Sequence, residues 1–310
     1  MKQISSAKIK TFFMGDKEHN GFIKSFFLYF ILIALAFICI YPIIYMVVNS
    51  FFSPDDLVDP SVTWVPAGLY FGNYVQAYET LDFVRSFFTS VLLAVVPALL
   101  QVISTSLVGF GFARFEFPLK KLWLVMVVLT FMVPTVVMRI PQYMMFDSYK
   151  MLNTVWPFFI PALLGQGIRS AIFILIFYAF FKSYPISFDE AAALDGAKRF
   201  RIYRTIAMPC AKGASVLCLL FSLVWYWNET DSLNLFAPNI KTLPIRLMEF
   251  SSKFSEIFAG AQESANTVRN LNESITLAGT CLSILPMLIL YLILQKQFVE
   301  SVERSGITGE

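Results

Sequence analysis

The side chains best suited to covalent or metal chemistry are few and badly spaced for it. One histidine, His19, and four cysteines, Cys39, Cys210, Cys218 and Cys281, show neither metal-ligand nor paired spacing, which argues against a zinc site or a disulfide framework. His19 lies in a polar leader and reads as a solvated residue. Three of the cysteines lie in or beside apolar runs and read as small buried hydrophobes. No GxxxxGK[ST] loop is present to cradle a nucleotide phosphate, so the chain is not expected to hydrolyse ATP by itself. No acid cluster accompanies the histidine, and no catalytic constellation, cofactor site or metal site is expected.

The chemistry that remains is hydrogen bonding inside apolar runs. Gln101, Ser104, Thr105 and Ser106 form one group; Gln166 and Arg169, Asn228, and Thr276, Thr280 and Ser283 form others. Polar groups at membrane depth are costly and face a bundle interior or a water-filled path. Gln101, Thr105, Gln166, Arg169, Asn228 and Thr280 are therefore the candidates for lining a path taken by a solute. The competing role for the hydroxyls is helix-packing hydrogen bonds. For Arg169 it is an anchor that snorkels to the interface.

The other informative stretch is Ser187 to Pro209, SFDEAAALDGAKRFRIYRTIAMP. Ser187 and Glu190 have capping-box spacing, and the charges of Asp189 and Glu190 suit a helix N-terminus. Ala191 to Leu194 are strong helix formers, and Gly196 can take the left-handed conformation that ends a helix. A second helix is expected to place Phe200, Tyr203, Ile206 and Ala207 on one face, with Lys198, Arg201 and Arg204 largely elsewhere, until Pro209 stops it. Such a pair suits the inner membrane surface, presenting its turn to a cytosolic partner.

The elements that must position these residues are transmembrane helices. The 310 residues are 57% hydrophobic and only 15% charged, too apolar for a soluble chain of this length. With charges as fence posts and about 20 apolar residues per crossing, six spans are expected: 25–49, 86–113, 122–138, 167–182, 213–228 and 274–295. The third and fifth are short, which suits positions packed inside a bundle. Pro286 in the sixth is tolerable if neighbours satisfy the freed carbonyl. If the N-terminus is inside, sixteen of the 24 Lys and Arg fall on the cytoplasmic side, so both termini are expected there. The first span reads as an uncleaved signal anchor. The divisions are a cytoplasmic tail 1–24, a membrane domain 25–297 with a cytoplasmic loop 183–212 and an outer loop 229–273, and a second tail 298–310. The net charge of +3 reports topology and gives no sign of nucleic-acid binding.

Glu190-Ala191-Ala192, three residues, Gly196, nine residues, then Ile206-Ala207-Met208-Pro209 resembles the EAA motif of ABC importer permeases, with Met208 where leucine is usual. The chain is similar over most of its length to the carbohydrate-uptake type, such as the smaller permease of the maltose system. Phe71-Gly72-Asn73-Tyr74, Ala113-Arg114-Phe115-Glu116-Phe117-Pro118, Pro134, Ile140-Pro141, Leu152-Asn153-Thr154, Trp227-Asn228 and Gln295-Lys296-Gln297-Phe298-Val299 resemble further landmarks. The tail Gly306-Ile307-Thr308-Gly309-Glu310 departs from the family's ending.

The resemblance implies an all-α polytopic fold of the type I importer permease class in the bacterial inner membrane. It also implies a coupling loop docked on a dimeric cytosolic ATPase that binds the ATP, with Glu190, Ala191, Ala192, Asp195, Gly196, Ile206 and Pro209 as coupling residues. A second, homologous permease and an external solute-binding protein would complete the assembly, and the outer loop would reach toward the latter unless it is a plain solvated connector. A carbohydrate is the implied cargo. A non-sugar solute is the alternative within the class; an ion-driven carrier would call for buried acids at the bilayer midplane, and the clean spans have none.

Overall fold

The computed structural model describes residues 22–258 and 265–307, with side chains for 22–258 and 273–297. His19 and most of the basic leader lie outside the described residues. So do the side chains of 261–272 and of the tail from 298 onward.

Every regular element among the described residues is helical. In chain order they are α1 (Phe22–Asn49), α2 (Pro54–Val58), α3 (Gly72–Thr80), α4 (Phe83–Arg114), α5 (Lys120–Met132), α6 (Thr135–Ser148), α7 (Trp156–Leu163), α8 (Ser170–Ser183) and α9 (Ile186–Leu194). There follow α10 (Arg199–Cys210), α11 (Lys212–Trp227), α12 (Asp231–Phe236), α13 (Leu243–Met248), α14 (Phe250–Phe258) and α15 (Ala265–Ile307). Three segments are long and apolar enough to cross a membrane: α1, α4 and Glu273–Gln297 within α15. Three bent pairs bring the total to as many as six: α5 with α6 at 99°, α8 with α9 at 72°, and α10 with α11 at 80°.

The chain divides into two compact units. The first takes in the described residues up to Ala77 together with the stretch ending at Cys281. No residue of α1 is buried, so its apolar surface faces away from this chain. Below it, Ser53 caps α2 by a reciprocal box with Asp56. The backbone N–H of Ser53 is the main cause of the Asp56 carboxyl being held below its ordinary range. Asn73 donates to the carbonyls of Ser50 and Phe52, each at 2.9 Å, and the Tyr74 and Ser50 hydroxyls share a 2.8 Å bond. That pair gives the Phe71–Tyr74 landmark a physical role, which is to tie the chain back onto the end of α1.

The second unit starts at Tyr78, and α4 is its central member. Phe88, Leu92, Val95, Leu99, Ile103 and Leu107 recur every three or four residues and are all exposed. Ser90, Gln101, Ser104, Thr105 and Ser106 are buried. This polar-in, apolar-out pattern is that of a helix whose outer solvent is lipid. Gly109 allows α4 and α8 to approach backbone to backbone: a Cβ there would sit 2.6 Å from Phe177 Cβ and 2.9 Å from the Tyr178 nitrogen. Phe173, Phe177 and Phe181, four residues apart on α8, fill the core with Phe110 of α4 and Cys218 of α11.

The third expected span, 122–138, is broken. Helix α5 ends at Met132, Val133 is extended (φ −71°, ψ 122°), and α6 restarts after Pro134. Proline bars the preceding residue from the helical region and has no N–H for the ladder. No residue of α5 is buried in this chain, so its shortness comes from the break and not from packing inside the bundle. The fifth span, α11, does bury six side chains. The stretch 229–273, expected as a loop, is largely helical among the described residues: α12 and α13 place Leu233, Phe236 and Ile245 in a core with Leu93, Phe146 and Phe158, and α15 begins before the expected start of the last span.

Candidate functional site

The loop between α8 and α11 forms the expected helix pair, with different punctuation. Pro185, at φ −60° and ψ 127°, occupies the N-cap position and α9 starts at Ile186. Ser187 therefore lies inside the first turn and caps nothing. Glu190 is exposed and Asp189 is buried: the acid beside the motif glutamate turns inward because it finds a cation there. At the other end the turn closes as expected. Gly196, at φ +79°, follows Asp195; its N–H bonds to the Ala193 carbonyl at 3.0 Å and that of Ala197 to the Ala192 carbonyl at 2.9 Å, the Schellman pattern that satisfies the last carbonyls of a helix.

Helix α10 winds differently from the expected amphipathic helix. Its middle, Tyr203–Ala207, is a π-turn in which the Met208 N–H reaches the Tyr203 carbonyl. Pro209 has no N–H to donate, so the ladder slips to the wider spacing there. The inward residues are Ile202, Tyr203 and Ala207, Ile206 is half-buried, and Phe200 is 65% exposed with its ring 6.0 Å from that of Tyr203. Nor does Pro209 stop the helix. It continues to Cys210 and the chain turns at Ala211.

Both helices are fastened to α4. Arg114, in the last turn of α4, places Nε 3.0 Å from Asp189 Oδ2, with the two side chains 7% and 4% exposed. The Nε–H is misaligned for a hydrogen bond to that oxygen, so the contact is an ion pair. Arg114 also donates through Nη2 to the Tyr184 carbonyl at 2.7 Å and lies over the Tyr184 ring at 4.7 Å. Tyr184 in turn donates its hydroxyl to Asp189 Oδ1 at 2.9 Å. Burial, and then this bond to a carboxylate, push the Tyr184 phenol well above its ordinary pKa. Two turns away, the Tyr203 and Ser106 hydroxyls share a 2.7 Å bond, and the Tyr203 ring packs 5.3 Å from that of Phe110. Desolvation likewise raises the Tyr203 phenol.

Tyr184, Arg114 and Ser106 were not among the residues that the loop pattern selects. Arg114 and Ser106 lie about 70 to 100 positions along the chain from their partners, where no helical periodicity records the contact. A basic residue closing one span and an acid beside the motif glutamate were the available signals.

The outward surface of the loop carries the rest. Glu190, Ala191, Asp195, Gly196 and Pro209 are exposed, Ala192 is buried, and Leu194 is 90% exposed at the turn. This apolar side chain, held out on an otherwise anchored helix, is free of contacts that would keep a partner from reaching it.

The candidates for a path are not brought together as one group. Gln101 is fully buried. Its Nε2 donates to the Ile168 carbonyl at 2.6 Å and to Ser170 Oγ at 3.0 Å, and its Oε1 accepts from Ser222 Oγ at 3.0 Å. The amide thus joins α4 to the start of α8 and to α11. Thr105 bonds the Gln101 carbonyl. Gln166 is exposed on a crevice of about 250 Å³ that Phe112, Trp123 and Thr130 also line. Arg169, at φ +53°, places its guanidinium over the Trp225 ring at 4.9 Å. Asn228 bonds back to the Val224 carbonyl, and Thr280, in the other unit, to the Thr276 carbonyl. Among the described residues no His, Cys, Asp and Glu cluster could hold a metal ion.

Comparison with known proteins places this arrangement. The sequence profile of the binding-protein-dependent transport system inner membrane component family matches residues 105–303. The chain is 28% identical over 276 residues to the lactose transport system permease protein LacG of Rhizobium radiobacter, covering 88% of this chain and 93% of LacG. It is 26% identical over 255 residues to the melibiose/raffinose/stachyose import permease protein MelC of Bacillus subtilis, covering 81% and 86%. In fold it matches a chain from the crystal structure of a bacterial ABC transporter involved in the import of the acidic polysaccharide alginate, with a TM-score of 0.73 at 20% identity over 89% of this chain and 96% of that one. With the profile taking in the end of α4 from Thr105 and the whole anchored loop, the chain belongs to the binding-protein-dependent transport system inner membrane component family of ABC transporter permeases.

Proposed function

We propose that the chain is the membrane-spanning subunit of an ATP-driven, binding-protein-dependent importer of a carbohydrate or oligosaccharide in the bacterial inner membrane. Residues 183–212 form its coupling loop, with both termini on the cytoplasmic side. The observation that carries the coupling role is the contrast within the loop: its back is bonded and packed into the bundle through Asp189, Tyr203 and Ala207, while its turn holds Leu194 outward. A surface presented on a rigid mount suits a docking partner that pushes. Glu190, Ala191, Ala192, Asp195, Gly196, Ile206 and Pro209 make up or support that surface.

The carbohydrate reading is supported by relatives named for lactose and for melibiose, raffinose and stachyose. An ATPase dimer, a second homologous permease and an external binding protein are the partners this reading requires, with ATP bound by the ATPase. The basic residues of the loop, Lys198, Arg199, Arg201 and Arg204, support its cytoplasmic placement.

Replacing Gly196 by tryptophan tests the coupling role in the reconstituted complex. Binding-protein-stimulated ATP hydrolysis is expected to disappear while the permease stays inserted; undiminished stimulation contradicts the reading. A thermal-shift screen of the partner binding protein against a sugar panel tests the cargo, and a shift by a non-sugar alone overturns the carbohydrate assignment.

A further inference from the structure

The bonds that hold α9 and α10 are unevenly distributed. Along the chain, α9 joins α8 through the extended Tyr184 and Pro185, and α10 joins α11 across the turn at Ala211. These are the sharp bends, 72° and 80°, where few backbone hydrogen bonds resist a change of angle. Across space, among the described residues, Asp189 accepts from Tyr184 in the bend itself, and the polar side-chain bonds from α9 and α10 that reach past the bends end on α4. They attach at Ser106 and Arg114, roughly 12 Å apart at 1.5 Å per residue, and two attachment points that far apart also fix the angle between the parts. The space between them is filled by Phe110, packed against Phe181 at 5.3 Å and Tyr203 at 5.3 Å, and a close-packed interior transmits displacement with little compression.

We infer that Arg114 and Ser106 are positioning residues that make α9 and α10 move as one body with α4, so that displacement received at the loop enters the bundle through α4 and not along the chain into α8 and α11. Gln101, one and a half turns further along α4, then hands the motion to Ile168, Ser170 and Ser222. The inference rests on the coupling role proposed above for the loop and adds the route by which coupling leaves it.

The test uses the full importer complex, reconstituted with a parent permease in which Cys39, Cys210, Cys218 and Cys281 are replaced by alanine. Arg114→Cys with Asp189→Cys removes the ion pair, and binding-protein-stimulated ATP hydrolysis should fall roughly tenfold, the upper range for residues that modulate coupling between sites. Joining the two cysteines with a short bifunctional thiol reagent should restore turnover to within about threefold of the parent, because the joined parts need not move relative to each other. A cross-linked complex that stays inactive, or an unlinked one that couples like the parent, overturns the inference.

Ser106→Ala with Tyr203→Phe removes the second attachment while keeping its packing. It should lower stimulated hydrolysis by about threefold or more with the thermal midpoint nearly unchanged, and unchanged stimulation again overturns the inference. If the parent fails to assemble with an ATPase, the functional reading falls and takes this inference with it. If the parent assembles and couples while the variants couple like it, the route alone is refuted.

Discussion

Arg114 and Asp189 form an ion pair at 3.0 Å in which neither side chain is more than a tenth exposed. An isolated buried charge is far costlier than a buried pair. Asp189→Ala, which leaves the guanidinium unpaired, is expected to destabilise the protein by about 3–5 kcal/mol. Arg114→Met combined with Asp189→Leu removes both charges and should recover most of that loss, since apolar replacements of similar volume are often neutral. Thermal unfolding of the detergent-solubilised chain, followed for the single and double variants, measures the difference. A single variant as stable as the parent would show the pair to be solvated.

Gly109 and Gly111 sit two residues apart on α4 with opposite surroundings. A methyl group at Gly109 meets Phe177 and the backbone of α8, whereas nothing lies within 4 Å of one at Gly111. Gly109→Ala should cost about 1–3 kcal/mol from forced separation of the helices. Gly111→Ala should be neutral or gain up to about 1 kcal/mol from helix propensity. Thermal midpoints of the two variants check the contrast, and equal effects would contradict the close approach of α4 and α8.

The sequence revealed the helices better than the contacts between them. Charged residues at Lys24, Arg85 and Arg114 marked the ends of the first two spans to within a few residues, because a charge near hydrocarbon is penalised wherever it falls. Gly196 was legible as a helix end because its role is local. The break at Pro134 was passed over because the hydropathy of 122–138 continues across it and outweighs a single residue in a window. The inward turn of Asp189 was hidden for another reason: capping and burial call for the same residue type, and only the position of Arg114 in space decides between them.

Tyr184 gives the site a dependence on alkaline pH. Its phenol is raised above the ordinary tyrosine value, chiefly by burial, so the neutral form is favoured in the folded state. The stabilisation is fully present below the unfolded value of about 10 and is lost as the pH rises from there toward the folded value. With 13 tyrosines in the chain, the useful quantity is a difference. The stability advantage of the parent over Tyr184→Phe should be constant at neutral pH and shrink above about pH 10, as read from unfolding midpoints across that range. An advantage that grows with pH would contradict the assignment.

Gln101 separates a packing role from a path role. Gln101→Leu strands the Ser222 hydroxyl and the Ile168 carbonyl, each of which loses a partner within hydrogen-bond distance. The expected loss is about 1–3 kcal/mol per stranded group, with the choice among transported solutes unchanged. A competition uptake assay alongside thermal unfolding checks both halves, and altered solute preference at full stability would assign Gln101 to the path.

On the proposed function, the turn at the end of α9 is where an ATPase docks. Leu194, 90% exposed, can carry a photo-activatable cross-linking side chain without disturbing the buried face of the helix, and Met248, 66% exposed at the end of α13, provides the control. In membranes containing the assembled importer, the probe at position 194 should capture the ATPase subunit and the probe at 248 should not. Capture of the ATPase from position 248, or none from 194 in a complex that hydrolyses ATP, contradicts the account.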